Sequence, residues 1–65
     1  MSNIETVFLS EYFGEGNGKT AKVNKWGRWF IAELYKDGEL ISRDSQLEES
    51  NTEYVAEEWV QSDSI

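Results

Sequence analysis

The tetrapeptide Lys36-Asp37-Gly38-Glu39 constrains this chain more than any other stretch. Asp-Gly is a preferred occupant of a two-residue type I′ turn, whose central residues both need positive φ. It follows Arg28-Trp-Phe-Ile-Ala-Glu-Leu-Tyr35, the best strand sequence in the chain, and precedes Leu40-Ile41. An antiparallel hairpin is therefore expected, with strands near 28–35 and 39–43. The turn sets a register in which Tyr35 opposes Leu40 and Leu34 opposes Ile41. A second tight turn is expected at Trp26-Gly27, after a short strand near 20–25. It places Val23 opposite Phe30 and Ala21 opposite Ala32. Directly paired residues share a face, so Ala21, Val23, Phe30, Ala32, Leu34 and Ile41 form one apolar surface. Trp26 fits poorly where φ is positive. The alternative, a three-residue loop ending at Gly27, slips the register by one and turns the second strand over.

Residues 4–13 read as a further strand of impure alternation. Ile4, Phe8 and Tyr12 share one parity, and Val7, Leu9 and Phe13 share the other. This segment either folds over the second face of the sheet, making Phe8 and Tyr12 core residues, or leaves that face open. A helix is expected near 47–61. Ser50-x-x-Glu53 fits a capping box and Ser45-x-x-Glu48 offers an earlier start. Val55, Ala56, Trp59 and Val60 make one helical stripe, and Trp59 is expected to be buried against Phe30 and Leu34. Ser62 to Ile65 are expected to fray. The fold class is thus α+β: one domain over 1–65, an antiparallel three- to four-stranded β-meander packed against one C-terminal amphipathic helix.

Composition removes several functions. Among 65 residues there is no cysteine and no histidine. Disulfides, thiolate metal sites and a histidine-activated nucleophile are therefore excluded. No apolar run approaches a membrane span or a signal segment, so a cytoplasmic location away from membranes is expected. A chain this short buries only about 60% of its unfolded surface, which leaves a thin stability margin.

Charge is unevenly spread. The chain carries −7, but Lys19, Lys22, Lys25 and Arg28 lie within ten residues that hold no acid. That segment carries +4, leaving −11 for the remainder. Binding to duplex nucleic acid is disfavoured, because its affinity comes from neutralised phosphates.

Four patterns invite a functional reading. Gly14-Glu-Gly16-Asn-Gly18-Lys19-Thr20 resembles a phosphate-binding loop in composition only. That motif needs four residues between its first glycine and Gly-Lys, and a helix after it. Counting back from Gly18 lands on Phe13, and a strand-like segment follows, so a hairpin loop is expected. The thirteen carboxylates read as a solvated surface rather than an acid–base pair. No catalytic, cofactor or metal residue is assigned, and the chain is read as a non-enzyme. Lys22, Lys25, Trp26 and Arg28 interleave cations with an aromatic, which suits single-strand binding through stacking. Trp29, Ile31, Tyr35 and Leu40 fall together on the second sheet face, and a contiguous apolar patch with Trp and Tyr suits a protein interface.

Thr20-Ala21-Lys22-Val23, the aromatic third strand with Trp29 and Tyr35, Gly38 in its hairpin, and Ala56-x-x-Trp59 on an acidic helix resemble short, uncharacterised proteins of phages that infect marine bacteria. The resemblance spans residues 20–60 and leaves out the N-terminal strand and the triple-glycine loop. It implies a small viral effector acting in the host cytoplasm. The leading expectation is a non-enzymatic acidic protein-interaction domain that binds a host protein and modulates or inhibits it. Trp29, Ile31, Tyr35 and Leu40 would anchor the partner, and Glu49, Glu53 and Glu57 would engage a basic one. Two alternatives stand beside it: a single-stranded nucleic-acid binder through the 19–29 hairpin, and a self-assembling structural subunit, with a homodimer as its simplest form.

Overall fold

The fold is taken from a computed structural model that describes residues 5–62. Ile4 and the fraying expected at 63–65 lie outside the described residues. Four strands, β1 (Thr6–Phe13), β2 (Lys19–Trp26), β3 (Trp29–Lys36) and β4 (Glu39–Gln46), are followed by one helix, α1 (Glu49–Gln61). The strands form a single antiparallel sheet in the order β1-β2-β3-β4, an α+β meander as the sequence predicts.

Asp37 and Gly38 take φ of 53° and 85°, the left-handed pair that a type I′ turn requires. The β2–β3 turn lies one residue later than expected. Trp26 pairs with Trp29, so Gly27 and Arg28 occupy the turn, and Gly27 alone of the two has positive φ, at 63°. Trp26 is thereby relieved of a conformation it resists. The pairing moves by two: Val23 opposes Ala32, and Ala21 opposes Leu34. A two-residue shift preserves side-chain parity, so the expected apolar face survives.

Ile41 does not join that face. An irregularity between Leu34 and Tyr35 pairs Tyr35 with Leu40 but Leu34 with Ser42, leaving Ile41 as the extra residue of a bulge. Ile41 is 52% exposed. Beyond the bulge β4 runs to Gln46, three residues past the expected end, its polar residues held extended by pairing with β3. A second bulge lies in β1. Phe8 pairs with Asn24 and Ser10 with Val23, so Leu9 is the extra residue. The bulge separates Phe8 from Tyr12, expected on one face, and lets Leu9 and Tyr12 both pack on the core. β1 lies at the sheet edge and does not fold over the second face, so Phe8 is not a core residue.

The core is built from small side chains. Ala21, Val23, Ala32 and Ala56 are fully buried and Val60 nearly so. Alanines on both layers let the helix lie close on the sheet. The buried helical stripe is Thr52, Ala56 and Val60, with Val55 and Trp59 half-buried beside it. Buried Thr52 needs hydrogen-bond partners. Its hydroxyl donates to the Glu48 carbonyl at 2.9 Å, with the Phe30 carbonyl at 3.4 Å as a second acceptor in reach.

Neither expected capping box forms. Ser45 lies in β4, Ser50 lies inside the helix, and the N-cap is Glu48, which makes no capping bond through its side chain. Glu49 in the first turn suits the helix dipole. Trp59 is half-buried and does not reach the Phe30 end of the sheet. Its indole N–H donates to the Tyr35 carbonyl at 3.0 Å, and like Leu34 it packs against the buried cluster of Ala21, Val23, Ala56 and Val60. Phe30 adjoins Thr52 instead, about 10 Å back along the helix axis.

The glycine-dense loop caps the far end of α1. The Asn17 side-chain amide donates to the Val60 carbonyl at 2.9 Å, and the Lys19 ammonium donates to the Ser62 carbonyl at 2.8 Å. Lys19 is 3% exposed and lies 4.5 Å from the centre of the Trp59 ring. A cation at a helix C-terminus satisfies its carbonyls and opposes the negative dipole end. The same loop is tied to the β3–β4 turn through Asp37 N–H to the Gly18 carbonyl at 2.7 Å and Lys36 to the Asn17 carbonyl at 2.9 Å. The loop is therefore a structural clasp at the wrong end of a helix for binding phosphate.

Candidate functional site

With α1 on one face, the other face of the sheet is left open. The strand registers place its side chains in four rows across the strands. At one end stand Thr6, Trp26 and Trp29. Next come Phe8, Asn24, Ile31 and Ser45. Glu11, Lys22, Glu33 and Arg43 follow. Phe13, Thr20, Tyr35 and Leu40 close the other end. Apolar ends thus flank one charged row whose signs alternate, minus, plus, minus, plus.

The charged row is organised around Glu33. Its side chain is 19% exposed. One carboxylate oxygen accepts from the Asn24 amide at 3.0 Å, with the Tyr35 hydroxyl at 3.4 Å. The other accepts from Arg43 Nε at 3.2 Å. Lys22, directly across from Glu33, places its ammonium 5.5 Å from the centre of the Tyr35 ring. A carboxylate engaged this way is held in a fixed position, which suits recognition rather than proton transfer. Beside the row, Trp26, Trp29, Ile31, Arg43 and Ser45 line a shallow groove of about 330 Å³.

The apolar ends are solvent-exposed: Phe8 57%, Phe13 67%, Trp26 44%, Trp29 39% and Leu40 41%. Every large aromatic among them exceeds in size anything fully buried, since the largest fully buried side chains are Val23 and Thr52. The exposed apolar residues thus form two patches, one on each side of the charged row.

Trp29, Ile31, Tyr35 and Leu40 are brought together on this face. Glu49, Glu53 and Glu57 are not with them. They belong to α1, on the opposite layer, so one flat partner cannot contact both sets. The cations of the nucleic-acid reading are divided as well. Lys22 and Trp26 are on the open face and Arg28 is in the turn. Lys25 pairs with Phe30 on the helix side, its ammonium 5.5 Å from that ring. The open face adds Phe8, Glu11, Phe13 and Arg43 to Lys22 and Glu33, which strand parity alone places there. Residues about eleven apart become neighbours only once the register is known. Among the described residues no cluster of three metal-ligating side chains occurs, and no helix is long and apolar enough to cross a membrane. The chain matches no family model, and comparison with curated proteins and with solved structures gives no match to either.

Proposed function

We propose that this chain is a non-enzymatic protein-interaction module whose docking surface is the open sheet face. The observation that carries the proposal is the inverted placement of apolar bulk. Alanine and valine fill the core, while Phe8, Phe13, Trp26 and Trp29 stand exposed on a face that no other element among the described residues covers. Tryptophan and tyrosine are the residues that most often carry the affinity of a protein interface, and here they stand at the two apolar ends of the face. The mixed signs of the central row favour a protein partner over nucleic acid, which would require cations without Glu11 and Glu33 among them. In the setting that the phage resemblance implies, the partner is a host protein that binding modulates or inhibits. The acidic helix, facing away, would meet a separate basic protein.

The test compares two double variants of the immobilised chain in capture from a host lysate. Trp29→Ser with Ile31→Ser should abolish capture, while Glu53→Lys with Glu57→Lys should leave the sheet-bound partner in place. The reverse outcome transfers the function to the helix. Oligonucleotide binding at low salt that is lost in Lys22→Ala would establish the nucleic-acid reading instead.

A further inference from the structure

We propose that a second copy of this chain covers the open face, related by a two-fold axis that runs parallel to the strands and between β2 and β3. The inference rests on reading that face as an interface and names what covers it in the free protein, an occupant with which the host protein proposed above would compete. Its basis is the alternating row. Turning a copy by 180° about this axis lays its β1 over β4 of the first, and its β2 over β3. Glu11 then meets Arg43 and Lys22 meets Glu33, and each encounter recurs by symmetry. All four cross-copy encounters join opposite charges. An axis across the strands instead lays every charge on its own copy, which is repulsive at all four positions.

The two end rows agree with the same operation, while the row between sets Asn24 over Ile31 and Phe8 over Ser45. Trp26 comes over Trp29, Phe13 over Leu40, and Thr20 over Tyr35. Strands of the two sheets run nearly parallel, as in aligned sheet packing. The face has four strands of eight residues. At standard strand rise and spacing that is a footprint of about 500 Å² per copy. Two copies therefore bury about 1,000 Å², the lower bound for a specific protein interface. The acidic helices end on opposite outer sides, separated by about 30 Å from sheet spacing alone, several Debye lengths at physiological salt. The excess negative charge of each copy thus does not oppose pairing. The aromatic ends supply the affinity, and the charged row selects the orientation.

Charge exchange tests this orientation. Sedimentation is followed over a concentration series for the parent, for Lys22→Glu, for Glu33→Lys and for their equimolar mixture. Each single variant creates two like-charge encounters in its own dimer and should weaken it by about a hundredfold. In the mixture every encounter is again opposite, so a heterodimer should form with near-parental affinity. Circular dichroism verifies folding of each variant. If Glu33→Lys fails to fold, the exposed outer pair Glu11→Lys and Arg43→Glu makes the same exchange. A parent that stays monomeric into the high micromolar range overturns the proposal, as does a mixture that does not re-form the dimer. A monomeric parent whose Trp29→Ser, Ile31→Ser variant still loses its captured partner overturns the second copy alone. A parent that dimerises with or without those two substitutions overturns the open-face reading itself.

Discussion

Replacing Asn17 with alanine should cost about 2 kcal/mol, although Asn17 belongs to a surface loop. Its amide donates to the Val60 carbonyl at 2.9 Å, and its side-chain oxygen accepts from the Lys19 N–H at 3.0 Å. Each such bond contributes about 1 kcal/mol net, and loss of the donor leaves a helix-terminal carbonyl without a protein partner from this loop. In a domain of this size the cost corresponds to a fall in melting temperature of about 8 to 16 °C. The same helix supplies the control. Asn51 near its start makes one exposed bond, to the Glu48 carboxylate at 3.0 Å. Asn51→Ala should therefore shift stability by no more than about 0.5 kcal/mol. Thermal unfolding followed by far-ultraviolet circular dichroism measures both. Equal losses for the two variants would refute the clasp, and so would an Asn17→Ala melt within about 2 °C of the parent.

Gly14→Ala should destabilise by about 2 kcal/mol or more, since the added methyl would meet the Val60 carbonyl oxygen at 2.7 Å. Gly16→Ala has open space around it and should cost about 1 kcal/mol, from its φ of 69° alone; denaturant titration ranks the two. Trp59→Phe should lose about 1 kcal/mol with the indole bond to Tyr35, and Trp59→Ala nearer 3 kcal/mol, below a fully buried aromatic because Trp59 is half-exposed. Ser10→Ala should hold or raise the melting temperature, because its buried hydroxyl has no hydrogen-bond partner among the described residues.

Local chemistry made part of this fold legible. Asp37-Gly38 announces its turn because few other pairs accept two positive φ values in succession. The helix-side face of β2 and β3 was readable despite a misplaced turn, because the error was an even number of residues. Ile41 and Leu9 mark where legibility stopped. A bulge adds one residue, reverses parity beyond it, and leaves no compositional trace in either segment. Ser42-Arg-Asp-Ser-Gln46 carries no strand propensity and is a strand because β3 pairs with it. At Glu48 the helix starts without its expected side-chain cap, and Thr52 anchors that end to β3 instead. The charged row of the candidate site was half legible. Strand parity alone puts Lys22 and Glu33 on the second face, while Glu11 and Arg43 join them only through the registers of β1 and β4.

The two bulges also decide how this sheet can grow. Both lie in the outer strands, at Leu9 in β1 and Ile41 in β4. An outer strand normally offers a straight ladder of unused N–H and C=O groups, on which another strand can template itself without limit. A bulged strand bends and twists more sharply, so a straight newcomer cannot follow it for its full length. Lateral addition is therefore frustrated at both margins of the sheet. Addition through one face is closed by α1, and the proposed second copy would close the other. A chain with this much exposed aromatic surface is thus steered toward finite assemblies and away from the open-ended cross-β stacking that its strand content would otherwise invite.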